Sequence, residues 1–81
     1  MTYNEYIEQN LNHLANDHIE TWKDRYWRKS LAEIESDLQI NYDFSADIDD
    51  VEATIERELT DDEKKDFEQR FIKAVLDNFY N

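Results

Sequence analysis

Two histidines, His13 and His18, and twenty-one carboxylates are the side chains in this sequence that could ligate a metal or move a proton. The histidines are five residues apart. On a helix that puts them at different azimuths, not at the four-residue spacing of a paired zinc site. No cysteine is available to complete such a site. His18 reads instead as a residue at the edge of a core, making one hydrogen bond. Asp43, Asp47, Asp49 and Asp50 are dense enough to suggest a calcium loop, but the spacing is wrong. The glycine that makes the sharp turn of such a loop is also missing. Ser30, Ser36 and Ser45 could each be tested as nucleophiles, yet the chain has no glycine with which to build a nucleophile elbow. No catalytic residue, metal ligand or cofactor is therefore assigned, and the chain is expected not to be an enzyme.

The elements that would carry any site are helical. Glycine and proline are both absent, so phosphate-cradling loops and tight hairpin turns are disfavoured, and nothing interrupts a helix from within. Eleven aromatic residues among 81 supply enough apolar surface for a compact core despite the charge, which a disordered chain would lack. The expected fold is all-α: a single helical domain over residues 1–81, a three- or four-helix bundle with one extended strap at about 39–46. Thr2-Tyr3-Asn4-Glu5 is a capping box that opens the first helix, whose face carries Tyr3, Ile7, Leu11, Leu14 and His18. That stripe drifts by roughly a quarter turn, so a break is expected near Asn16-Asp17, with a single long helix over residues 2–38 as the alternative. The second helix then runs to about Leu38 with Ile19, Trp22, Tyr26, Trp27, Leu31, Ile34 and Leu38 on its apolar face. Ile40, Tyr42 and Phe44 alternate with polar residues and would pin the strap. A third helix starts at Ser45 or Asp47 and ends near Leu59. Thr60-Asp61-Asp62-Glu63 is a further capping box, opening a fourth helix that runs nearly to the end.

Charge is the feature that points toward a function. Residues 33–68 hold fifteen acids against three bases, a net of −12, which is the formal charge of the whole chain. Acids at helix starts have a local explanation, since the macrodipole favours each by about 0.3–1 kcal/mol. The remainder opposes a compact state through self-repulsion. Asp49, Glu52 and Glu56 fall on one flank of the third helix, about a turn apart. With Asp50, Asp61 and Asp62 they form the candidate partner-binding surface. Carboxylates repeated at about 5–6 Å along a rod can imitate a phosphate strand. The leading expectation is a non-catalytic acidic module that binds a basic surface on another protein. Its sharp form is a nucleic-acid mimic that inhibits a DNA- or RNA-handling protein, as small antagonists of phages and plasmids do; composition alone carries that analogy.

Two rival readings rest on other residues. Ile72, Leu76, Phe79 and Tyr80 leave the last turns of the fourth helix apolar around more than half the circumference, which suits self-association as a homodimer or accessory subunit. Arg25, Arg28 and Lys29 form a basic face on the second helix with Trp22 at its boundary. Three cations are few for nucleic-acid binding, and the acidic segment opposes it, so no direct nucleic-acid partner is expected. No apolar run suits a bilayer and no secretory signal is legible, so the expected address is the cytoplasm.

Overall fold

The computed structural model describes residues 1–80. Four helices account for most of them: α1 (Tyr3–Trp22), α2 (Leu31–Asn41), α3 (Ser45–Ile55) and α4 (Asp61–Asn78). No strand occurs among the described residues. The all-α bundle read from the sequence is the fold that forms.

Three of the four helices start at complete capping boxes. The Thr2, Ser30 and Thr60 hydroxyls accept from the amides of Glu5, Glu33 and Glu63, whose carboxylates return to the capping residues' own amides. α3 starts differently. Its N-cap, Phe44, has no side-chain acceptor, and the amide of Ser45 is taken up by Asp43 Oδ1 at 2.9 Å.

α1 does not break at Asn16-Asp17; it continues through both to Trp22. The drift of its stripe is absorbed because the helix packs against both α3 and α4, which widens the apolar face it can bury. Tyr3 donates to Asp66 of α4, Tyr6 donates to Asp50 of α3, and Ala15 is fully buried between. The break comes later, over 23–29, where the chain turns through Arg28 in the left-handed region (φ 63°). Neither a single helix over 2–38 nor a second helix from Asp17 forms. The strap is also shorter than the alternating pattern implies. α2 extends to Asn41 and α3 begins at Ser45, so only Tyr42, Asp43 and Phe44 are non-helical.

α1 and α4 run in the same direction. The Tyr3 hydroxyl meets Asp66 early in α4, and Tyr26, just past the end of α1, packs against Phe79 at the far end. α2 returns along α4 and ends with Tyr42 and Phe44 against Phe71. α3 lies on α1. Phe71, with no exposed surface, is the hub: His18, Trp22, Tyr42, Phe44 and Phe67 all place rings within 5.3–6.2 Å of its centroid. Offset and edge-on pairs of this kind add about 0.5–1.5 kcal/mol each beyond area burial.

Three apolar residues assigned to the interior lie outside it. Trp27 is 71% exposed, Ile40 75% and Leu31 43%. Trp27 leaves the core because the turn after α1 places Tyr26 inward, where its hydroxyl donates to Asp37. Ile40 pins nothing, because on a helix it points away from Leu38 and Ile34, the two fully buried residues of α2.

Candidate functional site

The acidic residues divide into those that hold the fold together and those that do not. Asp47 is the clearest of the first group. Only 7% exposed in the first turn of α3, it accepts from the Tyr42 hydroxyl, while His18 Nε2 lies 2.9 Å from its Oδ1. A carboxylate can only accept, so Nε2 carries the proton in this pairing. The His18 ring is itself stacked on Trp22 at 4.9 Å and meets Phe71 edge-on. The edge-of-core histidine with one hydrogen bond is thus in place, but its partner is an acid that charge counting assigns to the helix terminus.

Glu52 is also structural. Its Oε2 accepts from the amide of Leu59 at 2.7 Å and so ties the loop after α3 back to the helix. Asp50 accepts weakly from Tyr6 at 3.4 Å. Glu63 receives both guanidinium nitrogens of Arg57 at 2.8 Å and the amide of Thr60 at 3.0 Å. That fork, with the capping bonds behind it, holds the Glu63 carboxyl down at about 2.

Asp49, Glu56, Glu58, Asp61 and Asp62 belong to the second group, as do Glu8, Asp24 and Glu35 elsewhere on the chain. All are exposed, and their carboxylates take no hydrogen bond or ion pair among the described residues. Asp61 and Asp62 sit in the first turn of α4, but the capping there is already done by Thr60 and Glu63. The expected row of Asp49, Glu52 and Glu56 along one helical flank does not form. α3 ends at Ile55, and Glu56 takes the left-handed conformation (φ 64°) that turns the chain out of the helix. Asp49, Glu56, Glu58, Asp61 and Asp62 instead run from the middle of α3 through the loop that follows to the start of α4.

The four residues proposed for self-association separate as well. Ile72 and Phe79 are buried within this chain's own core, and Leu76 is partly buried against it. The wide apolar circumference of α4 is used internally because α1 and α2 both pack on it. Only Tyr80, 62% exposed, offers substantial surface.

Arg25, Arg28 and Lys29 lie in the turn after α1, not along a helical face. Arg25 pairs with Asp37 at 3.4 Å and Lys29 with Glu33 at 3.7 Å, whereas Arg28 lies over the Trp27 ring at 5.7 Å. Trp22 is buried and so offers no ring surface beside them.

Among the described residues no group of three His, Cys, Asp or Glu side chains could hold a metal ion, and no helix is long and apolar enough to cross a membrane. The chain matches no protein-family model, no curated protein and no solved structure.

Proposed function

We propose that this chain is a non-catalytic acidic module that binds a basic surface of another protein through the end of α3, the loop that follows and the start of α4. One observation carries the reading: Asp49, Glu56, Glu58, Asp61 and Asp62 are exposed and take no part in the hydrogen bonding that holds the helices. Helix capping accounts for Glu63, and burial or tertiary hydrogen bonds account for Asp47, Asp50 and Glu52. The five exposed carboxylates add self-repulsion to a chain of net charge −12 and take no hydrogen bond or ion pair in it. A basic partner would relieve that repulsion. In its sharp form the partner is a DNA- or RNA-handling protein, and the acidic surface takes the place of the phosphates.

The test is the quadruple change Asp49→Asn, Glu56→Gln, Asp61→Asn and Asp62→Asn, which preserves shape and spares Glu52 and Asp47. Stability should stay close to that of the parent. Lost macrodipole interaction at Asp61 and Asp62, about 0.3–1 kcal/mol each, is offset by reduced repulsion. Capture from a nuclease-treated lysate at low and high salt, read by mass spectrometry, identifies basic partners. Binding kinetics with the strongest of them should then show a slower on-rate and a shallower salt dependence for the variant. For the sharp form, added DNA or RNA should compete with the parent for that partner. Undiminished capture of every partner by the quadruple variant would remove the acidic surface from the function.

A further inference from the structure

The end of the molecule where α1 and α4 finish is chemically the opposite of the acidic surface. Trp27 and Tyr80 stand out from it, 71% and 62% exposed, over a floor formed by the buried rings of Tyr26 and Phe79. Together with Lys23 and Arg28 they line an open cavity of about 350 Å³. The rings are held in place. Tyr80 donates its hydroxyl to the carbonyl of Lys29 at 2.5 Å and meets Phe79 edge-on at 5.0 Å. The Lys29 amide donates to the Tyr26 carbonyl at 3.0 Å across Arg28. Arg28 occupies the left-handed region, which costs a residue with a Cβ about 1 kcal/mol where glycine or asparagine would fit better. Holding arginine there sets its guanidinium beside the Trp27 ring, and it meets no carboxylate among the described residues.

From this geometry we infer a second binding site, separate from the acidic surface: a cleft between Trp27 and Tyr80 that takes a peptide segment presenting a large apolar side chain next to aspartate or glutamate. The apolar floor and two aromatic walls suit one bulky side chain, and tryptophan and tyrosine are the residues that most often dominate such contacts. Charge complementarity selects the flanking residues, because the rim carries Arg28, which meets no carboxylate among the described residues, and Lys23, which pairs only with the exposed Glu20 at 3.4 Å. The acidic surface formed by α3, its loop and the start of α4 does not reach this cleft. Asp61 and Asp62 lie at the other end of α4, about 25 Å away along an 18-residue helix. That is roughly three Debye lengths at physiological salt. A nucleic-acid strand fits less well, since it needs cations that track successive phosphates. Arg25 and Lys29 are engaged by Asp37 and Glu33, and Lys23 is shared with Glu20.

The experiment is an array of random dodecapeptides probed with the parent chain, with Trp27→Ala, with the double variant Lys23→Gln and Arg28→Gln, and with the quadruple acid variant above. Circular dichroism first establishes that each is folded, which the exposure of the altered residues favours. Peptides retained by the parent should share an aromatic or large aliphatic residue within two positions of Asp or Glu. The best of them, measured in solution by fluorescence anisotropy, should bind about tenfold more weakly to Trp27→Ala and about three- to fivefold more weakly to the double variant. The quadruple acid variant should bind it as well as the parent. If retained peptides are only basic and indifferent to Trp27→Ala, this site is overturned while the acidic surface gains support. A Trp27-dependent increase in sedimenting mass of the parent alone would identify a second copy as the occupant, and Trp27-dependent binding of oligo-dT a nucleic acid. Either result overturns the peptide site.

Discussion

Removing the carboxylate of Asp47 separates two physical accounts of the same residue. As an acid in the first turn of α3 it interacts with the helix macrodipole, and Asp47→Ala should then cost about 0.3–1 kcal/mol. As the buried acceptor for Tyr42 and His18, its loss strands two donors, one of them on a Tyr42 ring packed against Trp22, Phe44 and Phe71. Each stranded donor costs about 1–3 kcal/mol, so the structural account sets the loss at about 2–6 kcal/mol. That is a large share of the stability of a chain this small, about 4–12 kcal/mol at typical values per residue. Urea unfolding at neutral pH, followed both by circular dichroism and by tryptophan fluorescence, measures the difference. The slope against urea must remain that of the parent for the comparison to hold. Tyr42→Phe should cost about 1–2 kcal/mol alone and much less in the Asp47→Ala background, because its hydroxyl then has no acceptor to lose. Additive losses, or a cost below about 1 kcal/mol for Asp47→Ala, would show that the carboxylate is not the buried acceptor described here.

The interior and the exposed aromatic end should respond oppositely to truncation. Phe71→Ala should lower stability by about 3–5 kcal/mol, whereas Trp27→Ala should change it by less than about 0.5 kcal/mol in the same urea titration. Stability should also fall at both extremes of pH. Burial first, and then hydrogen bonding or charge from nearby carboxylates, raises the hydroxyls of Tyr6 and Tyr26 to about 12 and pushes Tyr3 and Tyr42 up in the same direction. Because the folded state binds these protons more tightly than the unfolded one, their contribution is complete below the ordinary value of 10.0. It is lost as pH climbs through the folded values, on the order of 1–2 kcal/mol per hydroxyl after screening. Glu63 has the opposite sign: its contribution is complete above its ordinary 4.5 and disappears as pH falls toward about 2. Arg57→Gln should therefore flatten the acid limb of a thermal-melt series and leave the alkaline limb unchanged, and an unaltered acid limb would count against the fork.

Local chemistry was legible and tertiary context was not. The capping boxes at Thr2 and Thr60 are four-residue patterns, and both helices start where those patterns place them. Ser30-Leu31-Ala32-Glu33 is the same signal and marks the start of α2. An apolar periodicity from Ile19 to Leu38 runs unbroken across the real turn and masks that signal, because periodicity records which residues are apolar and not which way the backbone turns. The exposed acids at Asp49, Glu56, Asp61 and Asp62 could be found by counting charge, since a carboxylate without a partner stays in water wherever the chain goes. The burial of Asp47 could not be found that way. Its acceptor role depends on His18, twenty-nine residues away, and on a three-residue link that sets Tyr42 above it. In the same way Tyr26 and Trp27 are adjacent aromatics of similar hydrophobicity, and only the left-handed turn at Arg28 and the position of Asp37 send one inward and the other out. Whether the apolar turns of α4 were interface or interior was likewise undecidable from the helix alone. Sequence by itself determined that this chain is helical, where three of its helices can begin and where its charge lies, because those properties depend on residues within a turn of one another. Which side chains are enclosed, and so which acids are left to meet a partner, depended on α1 and α4 lying side by side in the same direction, a packing arrangement between segments about sixty residues apart.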